Sequence, residues 1–145
     1  MGILMSEENQ GEELYNLLAE LINQKINRTV LDSIRGEYGV LRHLVDVEDK
    51  ISAGMLTERL HVVPGRMTDI LNSLEKKGLI KRYKDEEDKR RVNVCITAAG
   101  KKEVQQKRNY ISQEYRGLFQ ILGRENTKEL IRLLGIVVGY HSHSD

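Results

Sequence analysis

The twelve residues from Gly65 to Lys76, GRMTDILNSLEK, interleave Arg66, Thr68, Asp69, Asn72, Ser73 and Lys76 with the apolar Met67, Ile70, Leu71 and Leu74. Guanidinium, hydroxyl, carboxamide and ammonium groups are those that bond phosphate oxygens and the edges of bases. Arg82, Lys84, Lys89, Arg90 and Arg91 follow shortly after. Charge is concentrated accordingly: Arg66 to Arg108 hold 13 Lys or Arg against 7 Asp or Glu, so the formal net charge of +1 over 145 residues conceals one basic segment, the rest of the chain taken together being acidic. A solvated surface is the bland account of such a run, and the elements that carry it must decide.

Other chemistries find no parts. There is no Gly-rich phosphate loop, nucleophile elbow, triad or metal cluster, so no enzyme and no cofactor are expected. His141, His143 and Asp145 stand beside serines at the end of the chain and read as a frayed terminus in preference to metal ligands. His43 and His61 lie in helical segments without a Cys or carboxylate at ligand spacing. The single cysteine, Cys95, excludes an internal disulfide framework and fits a reducing compartment. The start MGILMSEENQ has an apolar stretch of only Ile3 to Met5, and no run approaches the length that spans a bilayer. A soluble, cytoplasmic protein without membrane contact is expected.

The elements that must position the polar residues are legible from periodicity. Leu14, Leu17, Leu18, Leu21, Ile22, Ile26 and Val30 recur at helical steps, predicting one amphipathic helix over 11–35 that Gly36 interrupts. A second helix over about 37–48 carries Tyr38, Leu41, Leu44 and Val45. Ser52 suits the cap of a short third helix with Met55, Leu56 and Leu60 inward, and the turn from Val62 to Gly65 leads to a fourth. Pro64, the only proline, fits a first helical position, and Gly78 a left-handed terminus. On that fourth helix 100° steps set Gly65, Asp69, Asn72, Ser73 and Lys76 opposite the apolar face, with Arg66 and Thr68 on its flanks.

The period then turns to alternation through Leu79 to Lys84 and again through Val92 to Ile96, which predicts a β-hairpin with a charged tip. Val92, Val94 and Ile96 share one face; Asn93 and Cys95 point the other way, at least partly outward. Thr97 caps a fifth helix with Val104, Ile111, Tyr115, Leu118, Phe119 and Leu122 inward, closed by Gly123. A sixth, from Thr127 to Tyr140, is so apolar that it must be covered on several sides, and Gly135 and Gly139 would let two helices approach closely. The expected class is mainly α with a small β-hairpin wing, in the order of a winged helix-turn-helix. A major groove admits one α-helix, and a cationic hairpin beside it reaches phosphates and the adjoining minor groove. Double-stranded DNA is therefore the expected partner.

These residues resemble the MarR family of transcription regulators over most of the chain. ISAGMLTERL is similar to the family's helix-turn-helix opening, and MTDILNSLEKKGLIKR to its recognition helix and run into the wing. DEEDKRRVNVCITAAG is the most specific match, with Asp88 and Arg90 in the family's Asp-x-Arg and Thr97 and Gly100 where the last strand meets the next helix. The resemblance implies that Asp88 braces the wing and that Arg90 enters the minor groove. Asp69 departs from the arginine or other neutral-to-basic residue the family often has there, and Val63 from a common Ser cap.

One MarR-like unit over 1–145 follows, with a DNA-binding lobe at 37–100 and a helical dimerisation region formed by 8–35 and 101–142. A homodimer would set two recognition helices about 34 Å apart on a near-palindromic operator. Blocking polymerase favours repression over activation. The resemblance also implies a small phenolic or anionic effector between the dimer region and the DNA lobes, though no residue singles one out. The alternative is a winged helix that binds protein and lacks salt-dependent DNA affinity.

Overall fold

In the computed structural model, residues 7–142 are described, apart from the side chains of Ile26, Thr29, Asp32 and Ser33. The expectations placed on Ile3 to Met5, Ile26, His143 and Asp145 lie outside them. The first stripe of leucines forms α1 (Glu7–Asn23) and α2 (Lys25–Arg35), two helices where one was expected. The break is local chemistry. Gln24 is extended, at φ −69° and ψ 141°, and the Asn27 side-chain amide donates to the Leu21 carbonyl at 2.7 Å, taking an acceptor that the backbone ladder would otherwise use.

Gly36 separates α2 from α3 (Glu37–Asp46), which buries Val40, Leu41 and Leu44. A two-residue strand that the periodicity did not signal, β1 (Ile51–Ser52), comes next. It leads to α4 (Ala53–Arg59), where the Met55 N–H donates to Ser52 Oγ at 3.2 Å as an N-cap. Val63 precedes α5 (Pro64–Lys76) without a side-chain cap, and Pro64 occupies the first turn, where its missing N–H costs nothing. At the far end Gly78, with φ +76°, permits a Schellman motif: the N–H groups of Gly78 and Leu79 donate to the carbonyls of Glu75 and Leu74 at 2.9 and 3.0 Å.

The chain then reverses into β2 (Ile80–Lys84) and β3 (Val92–Ile96). The sheet has three antiparallel strands in the order β1-β3-β2, with Ile51 opposite Val94 and Ile80 opposite Ile96. Ile51, Ile80, Val94 and Ile96 face the same core as Leu56 of α4 and Met67, Ile70, Leu71 and Leu74 of α5. Each such side chain, taken fully from water, contributes about 1.5–3 kcal/mol.

Helix α6 (Ala98–Glu114) begins where Thr97 Oγ1 accepts from the Gly100 N–H at 3.1 Å, and it adds Val104 to the core. The described chain divides within α6 into two compact units, one ending at Lys107 and the other starting at Arg108. The second comprises the end of α6 and α7 (Arg116–Ser142), whose helix is broken at Gly123 with φ 78° and ψ 168°. The expected run to Gly123 is thus interrupted by a single turn residue at Tyr115, although the ladder bonds from Tyr115 N–H to the Ile111 carbonyl and from Phe119 N–H to the Tyr115 carbonyl pass through it. Leu118 and Phe119, expected to face inward, are exposed in the single chain, and α7 has no buried residue. No described helix is long and apolar enough to cross a membrane.

Candidate nucleic-acid interface

Helix α5 is amphipathic in the literal sense. Met67, Ile70, Leu71 and Leu74 are buried, while Arg66, Thr68, Asp69, Asn72 and Lys76 are exposed. Because 3.6 residues make a turn, burying the first set fixes the second on the solvent side. Ser73 differs from the helical-wheel placement. It is half-buried, on the flank of α5 next to Glu37 of α3; burial pushes the Glu37 carboxyl up, and hydrogen bonding with Lys77 and Ser73 pulls it below its ordinary value. The Lys77 ammonium donates to Glu37 Oε2 at 2.8 Å.

Among the exposed residues, the Thr68 hydroxyl donates back to the Pro64 carbonyl at 3.1 Å, which leaves its oxygen as an acceptor. Arg66 and Asp69 make no ion pair among the described residues, with each other or otherwise. A carboxylate and a guanidinium are therefore both presented to whatever meets the helix.

Arg82 of β2 is brought to this helix. Its Nη2 donates to Asn72 Oδ1 at 2.8 Å and to Glu75 Oε1 at 3.1 Å. Its Nε and backbone N–H donate to Glu75 Oε2 at 3.3 and 3.0 Å. These bonds, led by the side-chain one from Arg82, hold the Glu75 carboxyl below its ordinary value. Glu75 carries this junction between helix and wing, and sequence reasoning did not single it out; an acid seven residues before an arginine on the next strand was the available signal.

The wing is organised by Asp85, which was also missed. Asp85 Oδ1 accepts from the N–H groups of Glu87 and Asp88 at 2.9 and 3.2 Å, and its Oδ2 from the Asn93 side chain at 3.0 Å. The side-chain bond from Asn93 is foremost in keeping this carboxyl below its ordinary value. Its own N–H donates to the Arg91 carbonyl at 3.0 Å. An Asp opening a polar turn is the sequence sign of such a motif. Asp88 accepts from the Arg90 N–H at 3.0 Å, so the loop is tied at two acids. At its tip the Arg90 side chain is 97% exposed. Lys84, Lys89 and Arg91 are exposed as well.

The structure thus gathers Arg82, Asn72 and Glu75 into one hydrogen-bonded group, sets Arg66, Thr68, Asp69 and Lys76 on the same exposed side of α5, and turns Ser73 inward. Cys95 is half-buried on β3. Among the described residues no group of three His, Cys, Asp or Glu is placed to hold a metal.

Residues 35–92 match the MarR family. Curated relatives include the HTH-type transcriptional regulator SarZ of Staphylococcus epidermidis, 33% identical over 94 residues, which make up 65% of this chain and 62% of that protein. SarZ of Staphylococcus haemolyticus is 34% identical over 56 residues, 39% of this chain, and the chain spans 38% of its length. A solved MarR family protein from Bacillus stearothermophilus superposes with a TM-score of 0.73 at 17% identity, covering 96% of this chain and 99% of that one. FabT of Streptococcus pneumoniae, solved in complex with DNA, superposes at 0.63 with 17% identity, covering 97% of this chain and all of that one, 100%. The residues matched by the family build α3 through the first position of β3, and over that stretch, which forms the winged helix-turn-helix, the chain is similar to the MarR family.

Proposed function

We propose that the protein is a transcription regulator that binds double-stranded DNA through α5 and the wing. The observation that carries this reading is the pairing of an exposed polar face on α5 with an adjoining cationic hairpin, joined through Arg82. In the proposal Arg66, Thr68, Asp69, Asn72 and Lys76 meet the major groove, and Lys84, Lys89, Arg90 and Arg91 meet phosphates and the adjoining minor groove. Asp69, a carboxylate facing a polyanion, disfavours binding in general and acts by penalising wrong sites or by accepting from a cytosine amine. The match of residues 35–92 to the MarR family and the likeness of the fold to FabT, solved with DNA, support the assignment.

The proposal extends to a homodimer on a near-palindromic operator, acting in the cytoplasm as a repressor. Release by a small anionic or phenolic effector belongs to it too. A cleft beside α5 joins apolar Tyr38, Leu41, Leu74 and Leu79 to two cations, Lys77 and Lys107, and two carboxylates, Glu37 and Glu103, with Lys77 paired to Glu37, so its lining does not itself select an anion.

The test is binding of genomic fragments at two salt concentrations, with wild-type protein and Arg90→Ala. The wild type should lose affinity steeply as salt rises. Arg90→Ala should weaken all sites by about 1–3 kcal/mol with a shallower salt slope. Absence of salt-dependent binding in the wild type would favour the protein-binding alternative instead.

A further inference from the structure

We propose that Arg82 is a positioning residue that decides which base Asn72 can read. This rests on the DNA-binding reading above. An arginine has five N–H donors and no acceptor, so the atom of Asn72 that meets Arg82 Nη2 at 2.8 Å is its carbonyl oxygen. The amide is thereby oriented. Its oxygen is engaged, and its NH2 group, which makes no hydrogen bond among the described residues, is what the exposed side of α5 presents.

Arg82 is itself fixed. Glu75 takes its Nε, its second Nη2 bond and its backbone N–H, and the Arg82 side chain is only 26% exposed. Rotation of the guanidinium away from Asn72 would break a two-oxygen salt bridge, so the clamp is part of the resting structure. A free asparagine recognises adenine by two bonds, its oxygen accepting from N6 and its NH2 donating to N7. In clamped Asn72 one lone pair of the oxygen is taken and the amide plane is held, so the oxygen cannot turn to adenine N6 while the NH2 meets N7, and the NH2 is the group left to donate. It matches best the bases whose major-groove edge offers acceptors without a competing amino donor, guanine through O6 and N7 or thymine through O4, whereas adenine sets its N6 donor beside its single acceptor N7. Arg82, although counted among the cations of the wing, acts here through Asn72 and not as a phosphate contact.

The experiment is selection of bound sites from a randomised duplex pool by the full-length protein, compared with Asn72→Ala, Arg82→Ala and Glu75→Gln, each checked for folding by circular dichroism. The wild type should prefer guanine or thymine at one position per half-site, and Asn72→Ala should erase that preference alone. Arg82→Ala should move the same position toward adenine, by roughly tenfold or more in the ratio of adenine to guanine, since the freed amide regains its second bond. Glu75→Gln, which loosens the anchor without emptying the site, should move it the same way by less and covers the case in which Arg82→Ala fails to fold. A wild type that selects a site while the folded variants keep its base preferences and lose affinity uniformly would overturn the clamp and leave DNA binding intact. A wild type that selects no site would overturn both.

Discussion

Asp85 is a single carboxylate on which the wing's shape depends. Two backbone N–H groups and the Asn93 amide converge on it, and its value when folded lies below the ordinary 3.8. A depressed carboxyl contributes its stabilisation above the unfolded value and loses it as pH falls through the folded one. The Asn93 side-chain amide and the Glu87 and Asp88 backbone amides should therefore keep their NMR shifts down to about pH 4 and move below it, reporting the wing and not global unfolding. Asp85→Ala should speed hydrogen exchange at those two backbone amides at neutral pH while leaving Val94 protected in β3. Unchanged exchange would show that the Asp88 bond to Arg90 suffices to hold the loop.

At the level of elements, two contacts control how the helices and sheet fit. Gly100 in the first turn of α6 lies where a Cβ would run into the Leu79 carbonyl and the Ile96 side chain. The Leu79 carbonyl also accepts from the Thr97 N–H at 3.1 Å, so it cannot simply move aside. Gly100→Ala should destabilise the protein by about 1–3 kcal/mol in urea unfolding, the usual result of forcing volume into a filled site. A change within a few tenths would mean that α6 shifts freely on the sheet.

His43 is the second contact. It is 7% exposed on α3, and its Nδ1 has no hydrogen-bond partner among the described residues. Burial, then the charge of Arg59, push its pKa below 6.5, against a smaller opposing effect of Glu48. Arg59 and Glu48 are themselves paired at 2.8 Å. For a base whose folded value is depressed, stability is full above the unfolded value and declines as pH falls below it. Thermal midpoints should drop between about pH 7.5 and 5.5 in the wild type, and His43→Leu should remove that part of the slope. An equal slope in the variant would assign the acid sensitivity elsewhere.

Over the whole molecule the distribution of apolar surface is uneven. The unit ending at Lys107 has a core drawn from α3, α4, α5, α6 and all three strands. Helix α1 leaves Leu14, Leu17, Leu18, Leu21 and Ile22 exposed, and α7 does the same with Ile131, Leu134, Val137 and Val138 among others. Surface of this kind is usual where chains associate. If the homodimer proposed above forms, sedimentation at micromolar concentration should give twice the chain mass, and deletion of residues 124–145 should give monomers that lose operator affinity. A full-length monomer, or a truncated dimer, would refute the assignment of the interface to the last helix.

The sequence by itself determined the faces. Repeats of three and four residues, a proline able to start one helix, glycines able to end others and a switch to alternation define α3, α4, α5, β2 and β3 with most of their buried sides, because helical and strand periods project side chains in fixed directions, although Val45 and Val92 at the element ends are exposed where the pattern placed them on the apolar face. The Asp-x-Arg of the wing and the exposed set on α5 were legible on the same basis. Tertiary structure decided the partners. The break at Gln24 follows from an amide that captures a carbonyl, and β1 is too short to show a period of its own and exists only because β3 pairs with it. Ser73 turns toward Glu37 since α3 lies on that flank. Glu75, Arg82 and Asn72 meet because the Schellman turn at Gly78 brings β2 back along α5. Distances across such a turn depend on how the chain reverses, which no repeat in the sequence encodes.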